Sequence, residues 1–279
     1  MDEGYWSGVA VITGAGSGLG ASMAARFARC GMAIAVLDID GQQAEKSAQT
    51  IREAGGEAQA FQVDVSNQSA LQAAAQQVET RFGFCSVLCA NVGVQQFGAI
   101  ERLTEHDWRW VLDVNVMGVI HTVSAFLPLV RKAAAPRHIV ITSSSAAYSP
   151  GIRMAAYTAS KYAITGYGET LRMELADEGI GVSILFPAGM LTTHLESSGK
   201  ARPAELGPME IRREDIDAMM QSRKVDVADH VATADHATRH LLDELAQNRR
   251  YIVTHGDCRD AIQSNYEDLY AAQKRALGD

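Results

Sequence analysis

Val9-Ala10-Val11-Ile12-Thr13-Gly14-Ala15-Gly16-Ser17-Gly18-Leu19-Gly20 decides the fold class of this chain. Residues 9–12 form a short, continuous apolar run that reads as a buried strand. Glycines follow at once, and an amphipathic stretch over about 18–30 reads as a helix. A strand that turns through glycines into a helix suits a pyrophosphate. Glycine lets the backbone turn tightly and come close, and the helix N-terminus favours negative charge. The plainer reading is a tight turn whose dihedral angles need glycine.

The same rhythm continues outward. Strands are expected at 33–37, 58–63, 86–90, 137–142, 182–186 and 250–254, and helices at about 41–54, 69–82, 105–132, 156–177 and 227–247. Strands made of nearly continuous Val, Ile and Leu, alternating with helices, predict a doubly wound, seven-stranded parallel sheet covered on both faces, a three-layer α/β fold. No Pro/Gly/Ser-rich linker divides residues 1–279, which predicts a single domain. Residues 192–226 break the rhythm with Gly199, Pro203, Gly207 and Pro208, as a lid-like insertion or a long loop would. A tail helix is expected over about 259–275.

Composition narrows the function. The chain has 279 residues, 47% of them hydrophobic, with a net charge of −8, which argues against a nucleic-acid partner. The most apolar stretch, 116–130, is interrupted by His121, Thr122 and Ser124, and predicts a buried helix rather than a membrane span. The N-terminus shows no signal-peptide pattern. Four cysteines without metal spacing or a disulfide framework predict core residues in a reducing compartment, hence a cytoplasmic protein. His236 and His240 lie at i, i+4, but no third ligand accompanies them, so no metal site is expected.

The chemistry is expected around Tyr157 and Lys161. They are four apart on the predicted helix 156–177 and share a face, with Ser144 thirteen residues upstream of Tyr157. A free tyrosine titrates at about 10, and a neighbouring ammonium favours the phenolate. A serine hydroxyl can orient a carbonyl or alcohol oxygen. Together they predict an acid/base site for an alcohol/ketone pair. Asp38 ends the second strand, where a carboxylate can accept hydrogen bonds from ribose hydroxyls and would repel a 2′-phosphate. No basic residue neighbours it, so NAD is expected over NADP.

With these motifs in place, the chain resembles the short-chain dehydrogenase/reductase family over about 9–253. Thr13, Gly14, Gly18 and Gly20 match its glycine motif. Asn115, Ser144, Tyr157 and Lys161 match its catalytic tetrad, and Asp64-Val65 its adenine-side pair. Two motifs depart from the pattern: Ala90-Asn91-Val92-Gly93 keeps only the second asparagine and the glycine, and Pro187-Ala188 replaces Pro-Gly, with Thr192 keeping its spacing. The resemblance implies a Rossmann-type fold and a cofactor site that includes Gly14, Ser17, Gly18, Leu19, Gly20, Asp38, Asp64, Val65, Asn91, Tyr157, Lys161, Pro187 and Thr192. It implies that Tyr157 exchanges the substrate proton, Lys161 lowers the tyrosine's pKa, Ser144 holds the substrate oxygen, and Asn115 holds a water linking Lys161 to solvent.

Val94, Phe97, Tyr148, Met154, Met190 and Leu195 are expected to line an apolar substrate site, suited to an aryl, alicyclic or steroid-like secondary alcohol and its ketone. Arg153 reads either as an anion-binding residue or as a surface one. A non-catalytic NAD-binding sensor or scaffold, or an epimerase on the same fold, are the alternatives. Family members commonly pair through two long helices, and many then form tetramers through a short C-terminus. Here a tail helix with Ile262, Tyr266, Leu269 and Tyr270 on one stripe follows, which predicts a homodimer, with a homotetramer as the alternative. The faces Val111, Val114, Gly118, Phe126 and Tyr162, Gly166, Leu171 are candidates for that contact.

Overall fold

The computed structural model describes residues 5–134, 136–192, 194–222 and 231–278. Seven strands form as expected: β1 (Val9–Thr13), β2 (Ala33–Asp38), β3 (Ala58–Gln62), β4 (Val87–Ala90), β5 (His138–Thr142), β6 (Gly181–Phe186) and β7 (Tyr251–Val253). They make one parallel sheet in the order β3-β2-β1-β4-β5-β6-β7, a Rossmann-type arrangement whose order reverses between β1 and β4. Side chains alternate between the faces. Val9 and Val11 join the core under α3 (Gln68–Phe82), α5 (Gly118–Lys132) and α6 (Ala155–Glu174). Ala10 and Ile12 join the opposite core, under α1 (Gly18–Arg29) and α2 (Gly41–Glu53). Both faces of β1 are therefore dry, which is why its sequence is apolar throughout.

Local chemistry sets the helix starts. Asp40 caps α2 by accepting from Gln42 N and Gln43 N, and Asn67 caps α3 by accepting from Ala70 N. Thr104 and Asp107 form a reciprocal capping box at the start of α4 (Glu105–Leu112).

Three stretches differ from expectation. The helix expected over 105–132 is interrupted by a π-helical turn, Asp113–Met117, which separates α4 from α5. Taken together, 105–132 is long and apolar enough to cross a membrane. Here Val119, Val123, Phe126 and Val130 of α5 are buried in the core instead. The helix expected over 227–247 lies partly outside the described residues. Within them Val231–Ala232 pairs in parallel with Gly189–Met190, and two short helices follow, α9 (Ala234–Thr238) and α10 (Leu241–Ala246). Thr233 starts α9 by accepting from His236 N. The insertion at 192–226 is folded where it is described, into α7 (His194–Ala201) and α8 (Arg213–Ser222).

The tail helix, α11 (Arg259–Leu277), buries none of its side chains, and Ile262, Tyr266, Leu269 and Tyr270 are exposed on it. Of the faces considered for pairing, Val111, Gly118, Phe126 and Leu171 are buried within the chain, whereas Tyr162 is exposed.

Candidate active site

The carboxyl ends of β1 to β6 open on one cavity of about 460 Å³, at the switch in strand order. Its first wall is the turn after β1. Gly14 sits at φ 66, and a Cβ on Gly20 would fall 2.1 Å from the Gly14 carbonyl oxygen. Only glycine allows α1 to approach the turn this closely. Ser17, Gly18 and Leu19 line the cavity beside them. Thr192 reaches over this turn, 3.6 Å from the Cβ position of Gly18.

Asp38 lines the cavity at the end of β2. Its Oδ2 accepts from Gly16 N at 2.9 Å and its Oδ1 from Asp40 N at 3.0 Å. Burial raises its pKa, and the two backbone bonds oppose that rise. Asp64 and Val65 line the cavity after β3, with Asp64 Oδ1 accepting from Ser66 N and Ser66 Oγ. Asn91 lines it after β4 and ties three strands together. Its Nδ2 donates to Thr13 O at 3.1 Å, and its Oδ1 accepts from Thr142 Oγ1 at 3.0 Å. The bracing therefore survives the Ala90 departure.

Ser144, Tyr157, Lys161 and Pro187 line the opposite side. Ser144 follows β5, with its Oγ accepting from Ala146 N at 3.2 Å. Its neighbour Ser143 is committed elsewhere, donating to Lys161 O and bonding Thr165 Oγ1. Tyr157 and Lys161 project from one face of α6, as their spacing predicts. Lys161 Nζ lies 5.6 Å from the Tyr157 ring centroid and donates to Thr142 O at 3.0 Å. Burial lowers the lysine's pKa to about 7.

Asn115 is fully buried in the π-helical turn and does not line the cavity. Its Oδ1 accepts from Val94 N at 2.7 Å, and its Nδ2 donates to Val94 O and Ser160 Oγ. Ser160 Oγ in turn donates to Tyr157 O. Asn115 thus joins the loop after β4 to the helix that carries Tyr157 and Lys161.

Of the residues expected against a substrate, Val94, Phe97, Met154, Met190 and Leu195 line the cavity. Tyr148 does not: the 3-10 turn Ser145–Ala147 carries it to the β6 side, where its ring lies 5.2 Å from Phe186. Arg153 is also not in the lining; it pairs with Asp215. Sequence reading missed His194, which lines the cavity and is held neutral, its pKa lowered to about 4 by burial and by Lys161. It also missed Ile216, Met219 and Met220 of α8, whose i, i+3, i+4 spacing was the available signal. Among the described lining residues Lys161 is the one cation.

Comparison with known proteins agrees with this geometry. The family described as short chain dehydrogenase matches residues 8–203. A C alpha-dehydrogenase of Sphingobium sp. is 30% identical over 263 residues, covering 94% of this chain and 85% of that protein. A 1-deoxy-11-beta-hydroxypentalenate dehydrogenase of Streptomyces exfoliatus is 27% identical, over 94% of this chain and 88% of its own. The crystal structure of a short chain dehydrogenase/reductase from Burkholderia phymatum in complex with NAD superposes with a TM-score of 0.86, at 32% identity and 96% coverage of each chain.

Proposed function

The chain belongs to the short-chain dehydrogenase/reductase family and is an oxidoreductase of CH–OH groups that uses NAD(P), and on that premise we propose that it interconverts a hydrophobic secondary alcohol and its ketone with NAD. One observation carries the reading: Ser144, Tyr157 and Lys161 open into the same cavity as the glycine turn and Asp38, beside an apolar wall that includes Val94, Phe97, Met154, Met190 and Leu195.

The residues present fit a dinucleotide. The glycine turn leaves room for close backbone approach, and α1 begins there. The Asp38 carboxylate suits ribose hydroxyls, and no arginine is among the described lining residues to hold a 2′-phosphate. The NAD complex of the Burkholderia phymatum relative supports the same preference. Bound NAD would supply the hydride acceptor.

The protein's part is proton handling and placement. The Ser144 hydroxyl holds the substrate oxygen, and Tyr157 takes the alcohol proton as the C–H bond breaks. A phenolate at Tyr157 favours the ammonium of Lys161, which offsets the burial that pulls the lysine toward 7. Asn115 acts at one remove, by positioning α6 against the loop after β4. Phe97, Met154, Met190 and Leu195 accept apolar bulk, and methionines adapt to irregular shapes. The Sphingobium and Streptomyces relatives are both named dehydrogenases, and the second is named for a hydroxypentalenate, in keeping with an alcohol substrate.

The test is an absorbance screen at 340 nm with NAD against aliphatic, aryl and steroidal secondary alcohols. NADH formation with an aryl or alicyclic alcohol is the expected outcome, with activity rising as pH rises. Turnover confined to short polar alcohols would overturn the substrate class. We also read the chain as a homodimer, because Tyr162 and Met173 of α6 remain exposed for a partner helix. Light scattering that returned a tetramer mass would overturn it.

A further inference from the structure

Three separate segments wall the substrate side of the cavity. The loop after β4 brings Phe97, the turn before α6 brings Met154, and α8 brings Ile216, Met219 and Met220. All three converge on one carboxylate behind the wall. Asp215, on the first turn of α8, is 2% exposed. Arg102 Nη2 donates to both of its oxygens at 2.6 Å. Arg153 Nε lies 3.3 Å from its Oδ1.

Arg153 is itself held in an unusual state. It has φ 66, a left-handed conformation that disfavours a residue with a side chain. Its Nε is buried and makes no hydrogen bond, so its tie to Asp215 is one of charge. Its carbonyl accepts from Gly98 N at 3.0 Å, next to Phe97, and Met154 follows it in sequence. Strain of this kind persists only where surrounding contacts hold it. The stretch between α7 and α8 is fastened separately: Arg202 Nη2 lies 2.7 Å from Asp107 Oδ1, and both side chains are nearly buried.

We propose that Asp215 is a positioning residue that sets the size of the substrate compartment. Lodged between Arg102 and Arg153, it pins α8 so that Ile216, Met219 and Met220 form a fixed wall facing Phe97 and Met154. A buried charge that loses its partner is strongly unfavourable, so the pair resists withdrawal of α8. Asp215 does not touch the reacting atoms. Its effect is to exclude bulk and to hold a smaller alcohol close to Tyr157. This rests on the hydrophobic-alcohol reading of the same site.

The experiment uses the NAD-bound enzyme, with Asp215→Asn, Arg102→Gln and Asp215→Glu. Hydrogen exchange by mass spectrometry reads the wall, and kinetics with 1-phenylethanol and the bulkier 1-(1-naphthyl)ethanol read the compartment. In Asp215→Asn and Arg102→Gln, exchange in 213–222 should speed up about tenfold while peptides of β1 and β5 stay as in the wild type. KM for 1-phenylethanol should rise about fivefold with kcat within about twofold, and the kcat/KM ratio should move toward the naphthyl alcohol. Asp215→Glu, which keeps the carboxylate, should recover most of the protection. Unchanged exchange in 213–222 in Arg102→Gln, or a loss of kcat with KM unaltered, would overturn the proposal. If Asp215→Asn fails to fold, Arg102→Gln decides, since that side chain is one-third exposed. If the wild type oxidises neither alcohol, the substrate class fails, and the exchange measurement still judges Asp215 on its own.

Discussion

Asp38 and Asp215 are both buried or half-buried carboxylates beside the same cavity, and they are held in opposite ways. Asp38 is held by main chain. Gly16 N and Asp40 N donate to it, from the glycine turn and from two residues onward. Asp215 is held by side chains, Arg102 at 113 positions away and Arg153 in the turn before α6. The first arrangement follows from where a strand ends beside a glycine turn. The second exists only once three distant segments have met. Asp38 is therefore held by the main chain at a strand end, and Asp215 by side chains that only the tertiary fold brings together.

This comparison requires that neither carboxylate takes part in the chemistry. The largest effect should come from a residue between them: Tyr157→Phe should lower kcat by about a thousandfold, within the range of a lost general acid/base, while NAD affinity measured by fluorescence stays nearly unchanged. A variant retaining more than a few per cent of the activity would show that the proton leaves by another route.

A smaller effect should appear at the far end of the sheet, which separates stability from function. His138 begins β5, with Nε2 bonded to Ser183 Oγ at 2.8 Å, and burial lowers its pKa to about 3. The folded pKa lies below the unfolded value of about 6.5, so the unfolded chain binds the extra proton between them. Stability is fully present above pH 6.5 and should fall as pH drops toward 3, by at most about 1.4 kcal/mol per unit from this group. Denaturant unfolding at pH 7 and pH 5 measures it, and His138→Gln should flatten the slope. An unchanged slope in that variant would assign the acid loss elsewhere.

The smallest effect sharpens the comparison most. NAD should bind at least about tenfold tighter than NADP, and Asp38→Ala should bring the two toward equality. Asp38→Ala should leave hydrogen exchange in α8 as it is, and Asp215→Asn should leave the NAD/NADP ratio as it is. Fluorescence titration with both cofactors tests each variant. A change in the cofactor ratio on substituting Asp215 would mean that the two carboxylates are coupled.

The sequence by itself determined the parallel seven-stranded sheet and the glycine turn, Asp38, Asp64 and Asn91 that line the cavity, while the order of the strands was decided by the tertiary structure. The reason is periodicity. Residues 9–12 are apolar on both faces because both faces of β1 are covered, and Gly14 and Gly20 are required by the backbone itself. Tyr157 and Lys161 were legible because four residues on a helix return to one face, and Ser144 by its spacing of thirteen residues from Tyr157, just after β5. Only the tertiary structure decided that Asn115 braces Val94 and Ser160 from a π-helical turn, because the plain helical pattern of 105–132 does not mark where the ladder slips. It also decided that Tyr148 packs on Phe186 and not against the cavity, since one turn of 3-10 helix reverses which side an apolar residue takes. The wall made by Ile216, Met219 and Met220 had the right spacing, but spacing alone does not say which cavity a helix covers. That choice was made by Asp215 meeting two arginines remote from it in the chain, a pairing set by packing and charge in three dimensions.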